Sequence, residues 1–227
     1  GSSVANAENM AKVVDIVVNA VDRDRTILVS SAISGCTDTL IKIGTLASQR
    51  DESYKTLIDE LQQKHHVIIR DFLPLEKQAE SQEVCDSLFD SLRSIAQGVF
   101  LLGELSPASL DAIQGFGELW STKILATKLA SIGISTKWID SRNIIRTVAK
   151  GDKNIVDVQK TYSRVNELVD SNQFIPQFSK AMSASFMLEY PTCIVRIGCI
   201  THRTEGYSPS IVPYMGLSTI RIRIRYY

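Results

Sequence analysis

The sequence predicts an α/β fold with a mainly parallel sheet, and three observations support that prediction. The short, nearly continuous apolar run at Thr26–Ser31 is typical of a buried parallel strand, and Thr136–Asp140 predicts a second strand. Segments of helical periodicity precede, separate and follow these strands and are joined by short links. The chain has 227 residues, of which 44% are hydrophobic, and this suffices to bury a core around such a sheet.

The first helix, strand and loop follow from local patterns. Residues 4–22 repeat methionine and valine at helical spacing, which predicts a helix. Thr26–Ser31 predicts the first strand, and the small residues Ala32–Thr37 predict a loop after it. Thr37 or Asp38 can cap the helix that follows this loop, because their side-chain oxygens can accept from free backbone N–H groups.

A helical region follows. Residues 53–103 predict two long amphipathic helices with a break near Leu73-Pro74. His65 and His66 lie on a charged stretch of the first of these helices. Both histidines are therefore predicted to lie at the surface.

The remaining elements are predicted with decreasing support along the chain. Ser106-Pro107 predicts the start of a helix that runs to Ser131-Ile132-Gly133, since an early proline loses no hydrogen bond. Thr136–Asp140 predicts a second strand, and Val156–Val169 a further helix. Weaker patterns predict extended or helical pieces at 174–175, 181–189, 192–200 and 219–227.

The composition limits the possible partners and the cellular location. Lys+Arg and Asp+Glu both number 25, so the chain has no net charge that would favour nucleic acid or a membrane surface. The alternating Ile220–Arg225 is interpreted as the solvated face of an edge strand in preference to a phosphate site. Four scattered cysteines without close pairs predict reduced thiols, no metal site and a cytoplasmic location.

The amino terminus is the first candidate for chemistry. Gly1-Ser2-Ser3-Val4-Ala5 is a turn of small residues that is predicted to open directly into a helix. Free N–H groups and the positive end of the helix dipole at such a start can bind phosphate or carboxylate. Serine-rich helix starts are also common without any ligand, and Gly-Ser also remains after cleavage of an expression tag.

The loop after the first predicted strand is the second candidate. Ser30–Asp38 carries several hydroxyl groups and a glycine. In open α/β sheets, ligands bind at the carboxyl ends of the strands, where such loops gather. A small polar ligand would suit this loop, and an ordinary strand–helix connection explains the same residues equally well.

The third candidate is Glu118, which lies between Gly115 and Gly117 in an otherwise apolar predicted helix. Each helical glycine costs roughly 1 kcal/mol relative to alanine, so some compensating contact is expected. A carboxylate at this position could bind an ammonium group through charge-assisted hydrogen bonds. A helix packed tightly through its glycines, with Glu118 exposed or capping, is an equal alternative.

Several of these segments, in this order, resemble the aspartokinases of the amino-acid kinase family. Gly1-Ser2-Ser3-Val4-Ala5 is similar to the end of the family's Lys-Phe-Gly-Gly-Thr-Ser-Val motif. Ser31–Asp38 is similar to its Ser-Ala-x-x-x-x-Thr-Asn loop, and Gly115–Thr122 to its Gly-Glu-x-x-Ser segment. Trp138–Arg142 resembles the stretch that follows. The helical region with Leu101–Leu105 most resembles the kinase domain of bifunctional aspartokinase–homoserine dehydrogenases.

The resemblance implies a fold and a division of the chain. It implies a three-layer sandwich with a mainly parallel central sheet and a helix-rich insert at about residues 52–104. Residues 1–175 would then form the aspartate-binding part of a kinase domain. Residues 176–227 stay unassigned, and fragments of the nucleotide-binding part are one interpretation of them.

The resemblance also implies an activity: ATP-dependent phosphorylation of the side-chain carboxylate of L-aspartate, in lysine, threonine and methionine biosynthesis. Glu118 would bind the ammonium group of aspartate, and Ser31 and Thr37 would contact its carboxylates. Gly1 and Ser2 would lie beside the transferred phosphate. ATP and Mg²⁺ would be the cofactors, and a homo-oligomer and a fused homoserine dehydrogenase are implied as partners.

Two family features on which the activity depends have no counterpart in the sequence. The family's opening Lys and its Gly-Arg-Gly-Gly-Ser-Asp motif are both unmatched, so no catalytic residue is assigned. A non-catalytic amino-acid-binding domain of the same fold is therefore the alternative function. A third possible function is that of another amino-acid kinase, one that acts on a carboxylate or carbamate. The resemblance of Glu118, Ser31 and Thr37 to aspartokinase residues argues against it.

Overall fold

The structure is a computed structural model, and it describes residues 2–22, 26–150, 153–170 and 192–197. Two short 3₁₀ turns lie at Ser2–Val4 and Ser141–Asn143. The helices are α1 Ala7–Val21, α2 Cys36–Ser48, α3 Ser53–Phe72, α4 Leu75–Leu102, α5 Pro107–Gln114, α6 Phe116–Ser131 and α7 Val158–Asp170. The strands are β1 Thr26–Ser30, β2 Ser135–Ile139, β3 Thr147–Lys150, β4 Lys153–Val156 and β5 Thr192–Ile197.

The described strands form one parallel sheet and one antiparallel pair. β5 lies between β1 and β2 and runs parallel to both, with Leu28 and Trp138 opposite Val195. Helices α1 and α6 contact this sheet and each other. The α/β class is therefore confirmed, while the complete three-layer sandwich stays a prediction, as does the division of the chain at residue 175.

The predicted insert is confirmed as two long helices, α3 and α4. Leu73 ends α3 and Pro74 precedes α4, where the predicted break lies. Both helices pack against α2 and against each other, so they form a helical bundle beside the sheet. Within the described residues, no helix combines the length and the apolar character that crossing a membrane requires.

The prediction that His65 lies at the surface is wrong. Its ring is fully buried, with its centroid 4.8 Å from that of Trp120 and 5.5 Å from that of Phe89. The reason is that α3 contacts α1, α2, α4 and α6, so more than one stripe of the helix is covered. Burial lowers the pKa of His65 to about 4. His66, by contrast, is partly exposed and lies 2.6 Å from Asp86.

Three helix boundaries differ from the predictions. The helix predicted from Ser106 to Gly133 is interrupted at Gly115, which separates α5 from α6. Neither Thr37 nor Asp38 caps α2: the cap position is Gly35, whose φ of 76° ends the loop, and both residues lie inside the helix. The α1 helix begins only at Ala7, where the Asn6 side chain accepts from the backbone N–H of Asn9.

The hairpin of β3 and β4 was not predicted, and some predictions lie outside the described residues. β3 and β4 pair antiparallel across a short connection, and α7 starts after them at Val158. Gly1, the predicted pieces at 174–175 and 181–189, and the Ile220–Arg225 strand all fall outside the described residues. Of the predicted extended piece at 192–200, the structure describes β5.

Candidate functional site

The loop between β1 and α2, residues 31–35, lies against the start of α6. The backbone N–H of Ala32 donates to Oε1 of Glu118 at 3.2 Å. Ser121, one turn further along α6, donates its hydroxyl to the carbonyl oxygen of Ser31 at 2.8 Å. Two hydrogen bonds with side chains of one helix therefore fix the backbone of this β1–α2 loop at the carboxyl end of β1, where α/β folds bind ligands.

Gly117 allows this close approach. A Cβ atom at this position would lie 2.7 Å from Cβ of Ala32 and 3.3 Å from Sγ of Cys36. Any side chain on residue 117 would therefore push the β1–α2 loop away from α6. Of the two explanations for the glycines, tight packing applies to Gly117, while Gly115 lies at the junction of two helices.

Glu118 is a partly buried carboxylate. Burial raises its pKa, and hydrogen bonds from its own backbone N–H and that of Ala32 act in the opposite direction. None of the ion pairs between described residues involves Glu118. A carboxylate that is desolvated in this way favours a cationic ligand group that can hydrogen-bond to it.

The other predicted site residues differ in how closely the structure links them to Glu118. Ser31 is exposed and is tied to α6 through Ser121. Thr37 is partly buried in the first turn of α2. Ser2 is exposed, and its carbonyl accepts from Asn9 of α1 at 2.9 Å. No described hydrogen bond joins Thr37 or Ser2 to Glu118, and Gly1 lies outside the described residues.

Two residues that hold the loop were missed in the sequence. Ser121 belongs to the quoted Gly-Glu-x-x-Ser segment, so its signal was present but no role was assigned to it. Lys64 of α3 donates its ammonium group to the carbonyl oxygen of Ser34 at 2.7 Å. No local pattern marks Lys64, because its contact with the loop depends on how the insert packs.

Cys36, directly after the loop, has no nucleophilic role. Its side chain is fully buried, and burial, followed by the nearby charge of Glu118, raises the pKa of its thiol to about 12. The thiol is therefore protonated at neutral pH, and a protonated thiol is a poor nucleophile. Cys36 acts by packing against Gly117.

Two clefts lie apart from this site. One, of about 170 Å³, lies between α4, α6 and β2 and is lined by Trp120, Lys123 and Trp138, among others. The other, of about 300 Å³, lies at the end of α1. Neither is lined by Ser31, Thr37 or Glu118.

Ser121→Ala is expected to lower the free energy of unfolding by about 1 kcal/mol, because it removes the hydrogen bond to Ser31 from a fully buried position. Chemical denaturation measures this change. The matched control is Ser131→Ala at the end of the same helix, whose hydroxyl bonds only within α6 among the described contacts. Equal losses in the two variants would contradict a specific role of Ser121 in fixing the loop.

The sequence model of the Amino acid kinase family matches residues 1–184 of this chain. Among curated proteins, the chain is 26% identical over 199 residues to the chloroplastic bifunctional aspartokinase/homoserine dehydrogenase of Daucus carota, covering 87% of this chain and 22% of that protein. It is 27% identical over 145 residues to bifunctional aspartokinase/homoserine dehydrogenase 2 of Arabidopsis thaliana, covering 64% and 16%. The chain thus spans about a fifth of the length of these relatives.

A solved structure shows the same fold. E. coli aspartokinase III, in complex with aspartate and ADP, superposes with a TM-score of 0.66 at 21% sequence identity. The superposition covers 86% of this chain and 38% of that one. The fold and the sequence match therefore agree, and the chain belongs to the amino acid kinase family.

Proposed function

We propose that the chain is the aspartate-binding part of an aspartate kinase. The reaction would transfer the γ-phosphate of ATP to the side-chain carboxylate of L-aspartate and give 4-phospho-L-aspartate. The observation that carries this proposal is Glu118, a partly buried carboxylate outside the described ion pairs, held against the loop at the carboxyl end of β1. The names of the relatives and the aspartate complex of the E. coli enzyme support it.

In this proposal Glu118 binds the ammonium group of aspartate, because a desolvated carboxylate gains most from a cationic donor. The hydroxyls of Ser31, at the start of the β1–α2 loop, and of Thr37, in the first turn of α2, donate to the carboxylates of aspartate. The backbone of this loop is already fixed by α6, so little ordering is required when the ligand binds. Gly1 and Ser2 are proposed to lie beside the transferred phosphate.

The chemistry requires no general base from the chain. The attacking group is a carboxylate, which is already an anion at neutral pH. Catalysis of phosphoryl transfer consists mainly of positioning and of neutralising the charge on the phosphoryl group. Mg²⁺ would be bound through the phosphates of ATP, and we assign none of the described residues to it.

The wider setting is also a proposal. The product would enter lysine, threonine and methionine biosynthesis. A fused homoserine dehydrogenase is proposed because the bifunctional relatives are named for one. We also propose that the protein forms a homo-oligomer. The cytoplasmic location stays a prediction from the sequence, and these relatives are named as chloroplastic.

The deciding experiment measures ATP turnover with L-aspartate and traps the acyl phosphate with hydroxylamine. It uses the longest natural gene product that contains this chain, and the chain alone as a comparison. We expect aspartate-dependent hydroxamate from the longer protein. If aspartate binds measurably but no hydroxamate forms, the kinase proposal is wrong. The alternative, a non-catalytic amino-acid-binding domain of the same fold, would then be supported.

A further inference from the structure

Lys64 brings a positive charge to the β1–α2 loop from outside the sheet domain. It lies on α3, in the helical insert, and its side chain is exposed. The ammonium group donates to the carbonyl oxygen of Ser34 at 2.7 Å, near the end of the loop. The packing of α3 against α2 sets this position, since α2 begins directly after the loop.

Lys64 and Glu118 bond to the same short loop from two helices, because Glu118 accepts from the backbone N–H of Ala32 and Lys64 donates to the carbonyl oxygen of Ser34, two residues further on. Glu118 raises the pKa of Cys36, as a negative charge must, and Lys64 lowers it, as a positive charge must. Both effects are smaller than that of burial, but they have opposite signs at one atom. A carboxylate on α6 and an ammonium on α3 therefore flank the loop that follows β1.

Two opposite charges beside one loop match a ligand that carries both charges. Aspartate has one ammonium and two carboxylates, so its net charge is negative. A site that contained only Glu118 would attract the ammonium and repel the carboxylates. A positive group beside the hydroxyls of Ser31 and Thr37 would offset this repulsion, and Lys64 is a described cation whose hydrogen bond reaches the loop.

We propose that Lys64 binds a carboxylate of aspartate while Glu118 binds its ammonium group. This inference rests on the function proposed above and adds a residue of the insert to the site. An ammonium group has three N–H donors, and the carbonyl oxygen of Ser34 uses one of them. The other two can donate to a carboxylate, with the Ser34 bond holding the side chain in place.

The test compares aspartate binding in four proteins by titration calorimetry. Lys64→Gln removes the charge and keeps N–H donors, and Lys64→Arg keeps the charge. Lys42→Gln is the matched control, because Lys42 is an exposed lysine of α2. We expect about a tenfold to hundredfold loss of affinity in Lys64→Gln. Lys64→Arg should stay within about fivefold of the parent, and Lys42→Gln should be unchanged, since an exposed charge away from the ligand contributes little.

The salt dependence of aspartate affinity distinguishes two roles of Lys64: a charge that contacts the ligand, and a side chain that only holds the loop in place. Affinity in the parent protein should fall as ionic strength rises, and this slope should flatten in Lys64→Gln. A loss confined to aspartate, with asparagine unaffected, assigns Lys64 to the side-chain carboxylate. Equal losses for aspartate and asparagine assign it to the main-chain carboxylate.

The outcomes also separate this inference from the proposed function. If the parent binds no aspartate, the proposed function fails and the role of Lys64 fails with it. If the parent binds aspartate and Lys64→Gln binds it equally well, or loses affinity with an unchanged salt slope, only the role of Lys64 is refuted. Thermal midpoints of all four proteins exclude unfolding as the cause of a loss.

Discussion

Glu118→Gln is expected to weaken aspartate binding by about 30-fold to 1,000-fold, which corresponds to about 2–4 kcal/mol. The amide has nearly the shape of the carboxylate and its oxygen can still accept from the backbone N–H of Ala32. The loop therefore stays in place, and the ammonium group of the ligand loses its counter-charge. Titration calorimetry on both proteins, with thermal midpoints, measures the affinity and the stability separately.

The pH dependence gives this variant a second readout. Because burial raises the pKa of Glu118, its carboxyl ionises later in the folded than in the unfolded state as pH rises. Its contribution to stability is therefore greatest below the unfolded pKa and is lost as pH rises through the folded pKa. Aspartate binding should have the opposite trend and strengthen as Glu118 ionises. The contribution of Glu118 to both trends should be absent in Glu118→Gln, so the variant should show a smaller pH dependence of both quantities than the parent; unchanged aspartate affinity would remove Glu118 from the site.

The sequence predicted elements that depend on local pattern. β1 was found from a short apolar run, and the break between α3 and α4 from Pro74. β2 lies within one residue of the predicted strand Thr136–Asp140. The start of α5 followed from Ser106-Pro107, and in the structure the Ser106 hydroxyl accepts from the backbone N–H of Ser109. In each case the residues that determine the element lie within it or beside it.

Features that depend on packing were not predictable in the same way. His65 lies in a charged stretch of sequence, and only the packing of α3 against several helices buries it. The interruption at Gly115 has no proline to mark it, and two glycines in a helical pattern do not show which one ends a helix. The β3–β4 hairpin consists of two four-residue strands, too short for a clear alternation.

The site shows the same division between local and packing-dependent features. Glu118 and Ser31 lie in segments that resemble family motifs, and the structure connects both to one loop. Lys64 has no such segment, because it reaches the loop from an insert 30 positions further along the chain. Its contact with the loop follows from the packing of α3, which no local sequence pattern shows.

The β1–α2 loop is held from two sides, which links the stability of the site to its affinity. On the α6 side, Glu118 and Ser121 bond the loop backbone and Gly117 leaves room for it. On the α3 side, Lys64 bonds the carbonyl oxygen of Ser34. A loop fixed before the ligand arrives costs less ordering free energy on binding. A change that separates α6 from the loop should therefore reduce stability and affinity together.

Gly117→Ala is expected to cause such a separation. The new Cβ would lie 2.7 Å from Cβ of Ala32, which is much closer than carbon atoms approach without displacement. We expect a loss of about 1–3 kcal/mol in the free energy of unfolding, even though alanine favours a helix over glycine by about 1 kcal/mol. Aspartate affinity should fall at least about tenfold, because Ala32 moves away from Glu118. Chemical denaturation and titration calorimetry measure the two effects.

Gly98→Ala is the matched control for this variant. Gly98 lies within α4, and a Cβ atom added there would meet nothing within 4 Å. The same substitution should therefore raise the free energy of unfolding by about 1 kcal/mol through helix propensity alone. The two glycine-to-alanine changes thus have opposite expected signs, which separates the steric contact from the intrinsic preference of the backbone. If Gly117→Ala also raised the free energy of unfolding, the loop would move without cost. The contact between Gly117 and Ala32 would then have no part in fixing the loop.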